Sequence, residues 1–153
     1  METITKNIPA LALRGLTVFP RMTASFDVER EISVRALERA METGQEIFLV
    51  TQRELGVELP EEKDLYEVGT VARVIQILRA SNSMMRVVME GGSRARLRRL
   101  WQREPFLQAQ VELIGEEKSP RHGTRTEAML RQTYALFGEY SELLPKQPAS
   151  IFT

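Results

Sequence analysis

A chain of 153 residues with 42% apolar side chains can form one packed domain with an appended element. Its 21 basic and 21 acidic residues cancel, so bulk charge gives no reason to expect nucleic acid or an acidic membrane as partner. The absence of cysteine excludes disulfides and thiolate metal sites, and no apolar run approaches the roughly 20 residues that span a bilayer. With no signal-peptide core at its start, the chain is expected in the cytoplasm.

Residues 1–7 read as a lead-in, and residues 8–16 as a strand with Leu11 and Leu13 on one side and Gly15 at a turn or bulge. Residues 17–20 form a short apolar run closed by Pro20, which belongs at a sheet edge or exit. Residues 22–28 return as an extended segment. A helix is predicted to begin between Glu29 and Ser33, with Ala36, Leu37, Ala40 and Met41 on its apolar face. Glu31 and Arg35 are spaced as a helical ion pair, and Gly44 stands where a left-handed cap would end the helix. Residues 47–51 form a short buried strand. Residues 53–64 form a polar loop, broken at Gly56 and Pro60, whose acidic residues Glu58, Glu61, Glu62 and Asp64 lack the spacing of a calcium loop.

Residues 68–78 predict a long strand, twisted or bulged near Gly69. Residues 81–83 suit a hairpin tip, and residues 84–90 return. Gly91-Gly92 reads as the next turn, with a separate strand from Arg94. Glu104-Pro105 is a further break. Leu107, Ala109, Val111 and Leu113 then share one face against Gln108, Gln110 and Glu112, the alternation of a half-buried strand. Residues 115–123, with Pro120, read as a boundary. Residues 124–144 have a helical period, with Met129, Thr133, Leu136 and Tyr140 in one row and Leu130, Tyr134, Phe137 and Leu144 widening the apolar surface. Pro145 and Pro148 end that helix, and the tail reads as a truncated connector. The expected fold class is α+β: a twisted, largely antiparallel β domain, an open pseudo-barrel, with a packed helix, followed by a C-terminal helical extension. The expected division is 1–117 for the β-rich domain and 118–153 for the start of the helical connector.

The residues with chemistry are few. His122 is the sole histidine, in a loop without metal-ligand spacing, and reads as exposed or structural. No Gly-x-Ser-x-Gly elbow accompanies it, and Gly91-Gly92-Ser93 lacks the spacing of a phosphate loop. A noncatalytic module without metal or cofactor is the direct reading. Arg94, Arg96, Arg98, Arg99 and Arg103, helped by Arg86, offer a basic stripe that would suit a nucleic-acid-binding β module. The competing reading is a charged outer face paired with glutamates, favoured by zero net charge and the lack of interleaved aromatic residues. Met22, Phe26, Met84 and Met85 offer an adaptable apolar surface for unfolded polypeptide, against the competing reading, favoured for each residue taken separately, that three of the four belong to the core. Since successive strand residues face opposite ways, Met84 and Met85 do not both enter one core. A standalone domain binding a small ligand or folded protein is a further alternative.

Several longer motifs are more specific. They are Leu11-Ala12-Leu13-Arg14-Gly15-Leu16-Thr17-Val18-Phe19-Pro20-Arg21-Met22, Arg30-Glu31-Ile32-Ser33-Val34-Arg35-Ala36-Leu37-Glu38-Arg39-Ala40-Met41, Asp64-Leu65-Tyr66-Glu67-Val68-Gly69-Thr70-Val71-Ala72-Arg73-Val74, and Val88-Met89-Glu90-Gly91-Gly92-Ser93-Arg94-Ala95-Arg96-Leu97. With them the chain resembles, over about residues 8–144, the N-terminal domain of bacterial ATP-dependent Lon proteases. It departs from the pattern at Ala12 and Ser25, where prolines are common, at Asp27, Glu29 and Gly92. The resemblance implies a noncatalytic region that recognises unfolded or damaged polypeptides and supports assembly with other copies of the chain, as a hexamer in the full-length protein. It also implies that ATP and Mg belong to a motor domain, and peptide hydrolysis to a serine–lysine protease domain, both farther along that protein.

Overall fold

The computed structural model describes residues 2–81, 83–115 and 123–145. Backbone packing divides the chain into two units, Met1–Gly115 and Glu116–Thr153. The first contains β1 (Thr5–Leu13), β2 (Thr23–Val28), α1 (Glu31–Glu42), β3 (Glu46–Thr51), a single 3-10 turn at Glu62–Asp64, β4 (Val68–Arg79), β5 (Met85–Gln102) and β6 (Gln108–Leu113). The second contains α2 (Thr124–Glu142), whose Met129, Leu130, Tyr134, Leu136 and Tyr140 are exposed.

The sheet order is β2-β5-β4-β3-β1-β6, and β6 pairs back onto β5. Five strands thus curl into a ring, with β2 added beside the N-terminal half of β5. All pairings are antiparallel except β1 with β3. This is the twisted, largely antiparallel β domain with a packed helix that the sequence predicts.

Two apolar layers hold it. Ala10, Ala12, Phe48, Val50, Val71, Ala95, Leu97, Ala109 and Val111 fill the ring. On the other face, Leu11, Leu13, Ile47, Leu49, Ala72, Val74, Met85, Val87 and Met89 pack with Ala36, Leu37 and Ala40 of α1. Strands β1 and β3 lie between the layers. That explains why residues 10–13 and 47–50 are continuous apolar runs rather than alternating ones. By contrast β6 buries one face alone, and Ala109 and Val111 alternate with half-buried Gln108, Gln110 and Glu112. Helix α1 uses the small residues Ser33, Ala36 and Ala40 to approach the sheet, and Gly44, at φ 106°, turns the chain out of it. Met41, expected on the buried face, is exposed.

The largest departure is β5. The expected turn at Gly91-Gly92 does not exist, because one 18-residue strand runs through both glycines. They serve close approach instead. A Cβ on Gly91 would lie 2.1 Å from the carbonyl oxygen of Phe19, and one on Gly92 would lie 2.7 Å from that of Val71. The expected lead-in is also shorter than the sequence suggests, since β1 starts at Thr5 where it pairs with Glu112. In β4 the register shifts fall between Thr70 and Ala72 and between Val74 and Gln76, slightly past the expected position near Gly69. No described helix is long and apolar enough to cross a membrane.

Candidate functional site

The continuity of β5 places β2 at the margin of the sheet. The register runs from Thr23 opposite Glu90 to Val28 opposite Met85. Along this border lie three of the four residues predicted for polypeptide contact. Met22, 37% exposed, immediately precedes β2. Phe26 is half-buried in the middle of β2 and packs against the helix-side core. Met84 is half-buried just before β5, one residue beyond the Val28–Met85 pair. Met22 and Met84 therefore flank opposite ends of a six-residue ladder, about 23 Å apart at the usual strand rise.

Met85 is different. It is 4% exposed and belongs to the helix-side core with Val87 and Met89. Alternation requires one of the two methionines to face inward, and it is Met85, which removes its side chain from any surface contact.

Beside the C-terminal half of β2 lies a cleft of about 210 Å³, with Leu11, Leu13, Leu16, Phe26 and Val28 among its walls. Its polar rim is organised by Arg30, the residue before α1. Arg30 Nη2 donates to the carbonyl oxygen of Ala12 at 2.5 Å, and Nη1 to that of Glu58 at 3.1 Å. Burial, then the neighbouring Arg14, lowers the pKa of Arg30, and Glu58 partly opposes the shift. Arg14 itself donates to Glu58 at 3.1 Å. Asp27, which also lines the cleft, accepts two bonds from Arg86, at 2.8 and 3.2 Å, which hold its carboxyl below the usual aspartate value. The sequence shows these charges but not this cleft, because the Arg30–Ala12 contact joins β1 to the start of α1 across the fold.

The predicted arginine stripe is largely neutralised. Arg96 pairs with Glu67 at 2.9 Å, Arg98 pairs with Glu112, and Arg103 reaches the Leu59 carbonyl at 3.3 Å and Glu61 at 3.8 Å. Arg94 and Arg99 are exposed, without an ion pair among the described residues. A register shift between Leu97 and Arg99 leaves Arg98 and Arg99 both exposed, so the stripe does not alternate as a regular strand would.

The acidic loop has structural partners. Glu61 and Asp64 cap the 3-10 turn reciprocally, and Glu62 accepts the backbone N–H of Leu100 at 2.7 Å. Among the described residues no three His, Cys, Asp or Glu side chains are grouped to hold a metal ion. His122 lies outside the described residues.

Comparison with known proteins agrees with this architecture. The sequence model described as "ATP-dependent protease La (LON) substrate-binding domain" matches residues 7–151. The chain is 39% identical over 141 residues to a Lon protease of Brevibacillus choshinensis, covering 92% of this chain and 18% of that protein. It is 35% identical over 151 residues to Lon protease 1 of Bacillus subtilis, covering 99% of this chain and 19% of the relative. It therefore spans about a fifth of the length of these relatives. Among solved structures, the N-terminal domain of Mycobacterium avium complex Lon protease aligns with a TM-score of 0.59 at 17% identity, covering 91% of this chain and 76% of the other. A Lon N-terminal domain protein from Xanthomonas campestris aligns with a TM-score of 0.64 at 14% identity, covering 93% and 85%. At such identities these two likenesses concern the fold.

Proposed function

The chain belongs to the Lon protease substrate-binding domain family, and we propose that it holds unfolded or damaged polypeptides, without catalysis, ahead of an ATP-driven protease in a longer protein. The observation that carries this reading is the line of Met22, Phe26 and Met84 along the β2 border. Methionine and phenylalanine there offer adaptable apolar contact without demanding one substrate sequence. Contacts of this kind are individually weak, and several copies of the chain in a hexamer would add avidity. The ATP and Mg requirement, the serine–lysine chemistry and a cytoplasmic setting belong to the same proposal, as do residues 118–153 as the start of a helical connector.

The test is equilibrium binding of the 153-residue chain to a labelled, permanently unfolded polypeptide, with the folded form of that polypeptide and a single-stranded oligonucleotide alongside. Selective binding of the unfolded chain, weakened by Met22→Ser and Met84→Ser with folding retained, is the expected result. No unfolded-chain binding at high concentration overturns direct recognition. Salt-sensitive oligonucleotide binding would instead favour Arg94 and Arg99 as phosphate contacts.

A further inference from the structure

The border of β2 has a second property, carried by its backbone. The N–H of Gly91 donates to the carbonyl of Met22 at 2.8 Å, which marks residues 22 and 91 as a hydrogen-bonded pair. In an antiparallel ladder such pairs recur at every second residue. With the register of Thr23 opposite Glu90, the backbone groups of Ala24, Phe26 and Val28 therefore point to β5, and those of Thr23, Ser25 and Asp27 point away from it. Among the described residues no strand or side chain satisfies these outward groups. Edges are ordinarily guarded by lysine, proline or an unpaired charge. Within β2 there is no lysine or proline, and the charge of Asp27 is engaged by Arg86.

The cleft lies behind the C-terminal half of this edge. A strand laid against β2 would turn alternate side chains towards it. Leu11, Leu13, Leu16, Phe26 and Val28 give it an apolar part that an aliphatic side chain can contact, beside the charged groups of Arg14, Asp27 and Arg30. Main-chain bonds with a side-chain pocket beside them are the two parts of strand-addition recognition.

We propose that an extended segment of an unfolded polypeptide joins the sheet as a strand along β2, bonding Thr23, Ser25 and Asp27 through its backbone and seating an aliphatic side chain in the cleft. This rests on the substrate-holding reading above and specifies how the substrate is held. An unfolded chain is the occupant because it carries unpaired backbone groups and free side chains together. A second copy of β2 does not fit the cleft, because its inward-facing Ala24 and Val28 are buried in its own core.

The experiment follows amide hydrogen exchange, residue by residue, in the 153-residue chain with and without excess reduced, carboxymethylated α-lactalbumin as the permanently unfolded probe. The expected result is at least about tenfold slower exchange at Thr23, Ser25 and Asp27 on binding. A Ser25→Pro variant removes an outward N–H while leaving the bonds to β5, and is expected to weaken probe binding about tenfold or more at an unchanged melting temperature. Binding without slowed exchange at these amides overturns strand addition and leaves the substrate-holding reading intact. Unweakened binding by a folded Ser25→Pro chain does the same. No binding by the wild-type chain overturns both. Slow exchange at the three amides in the free chain, or slowing that depends on its own concentration, assigns the edge to the chain itself and also overturns the proposal. Should Ser25→Pro fail to fold, exchange in the wild-type chain decides.

Discussion

The carbonyl of Phe19 rests against the Cα of Gly91 so closely that a Cβ on residue 91 would come within 2.1 Å of its oxygen. The obstacle is backbone on both sides, held by the Arg21 N–H bond to the Gly91 carbonyl at 2.9 Å and by the Gly91 N–H bond to Met22. Neither partner can rotate away as a side chain would. Gly91→Ala is therefore expected to destabilise the domain by about 3 kcal/mol, the upper end of ordinary overpacking, read from urea unfolding midpoints. A loss below about 0.5 kcal/mol would mean that the segment at Phe19 yields freely.

The adjacent methionines separate stability from contact. Met85→Ala empties space among Val87, Met89 and α1, and is expected to cost about 2–5 kcal/mol. Met84→Ala is expected to leave stability within about 0.5 kcal/mol, as for a substitution outside the core, while weakening unfolded-polypeptide binding. Parallel unfolding and binding titrations check both. Equal destabilisation by the two variants would contradict the placement of Met84 outside the core.

Thr70 offers a test of a buried hydrogen bond. Its Oγ1 donates to the Val18 carbonyl at 2.6 Å, with both residues almost wholly enclosed. Thr70→Val keeps the shape but strands that carbonyl. The expected loss is about 1–3 kcal/mol in chemical unfolding. Thr70→Ser, which retains the donor, should recover part of it.

Acid should remove the Asp27–Arg86 ion pair, which spans β2 and β5 beside their backbone ladder. The Asp27 carboxyl is held below its usual value, first by its hydrogen bonds from Arg86. A depressed carboxylate contributes stability above the ordinary aspartate value, and the contribution disappears as pH falls through the lower, folded-state value. The wild-type chain should therefore exceed Asp27→Asn slightly in melting temperature near neutrality, and the gap should close below the ordinary aspartate range. The pair is exposed, so the effect is small. A gap that widened in acid would contradict this sign.

Much of the fold was legible because local pattern and burial coincide. Leu107, Ala109 and Val111 alternate because β6 has one buried face, and Ala36, Leu37 and Ala40 recur at helical spacing because α1 lies on the sheet. Gly91-Gly92 misleads for a physical reason. Locally a glycine pair signals a turn, whereas here it admits the Phe19 and Val71 carbonyls from elsewhere in the chain. Missing that, the reading divides β5 in two and hides the border formed by β2. Alternation shows that Met84 and Met85 face opposite ways, but choosing the buried one requires knowing which side α1 covers. The cleft at Arg30 was equally hidden, since its floor joins residues of β1 and β2 that no sequence spacing relates.

The ring also fixes an order of events. Its closing seam joins Thr5 to Glu112, almost the first residue of the domain to almost the last. The β2–β5 and β4–β5 ladders and the α1 layer involve shorter loops than this seam does, so they carry a smaller closure cost. On a ribosome the N-terminal half of β1 therefore waits, unpaired with β6, until nearly the whole domain has been synthesised. A domain of a family described as substrate-binding thus passes through its own period as an incompletely folded chain.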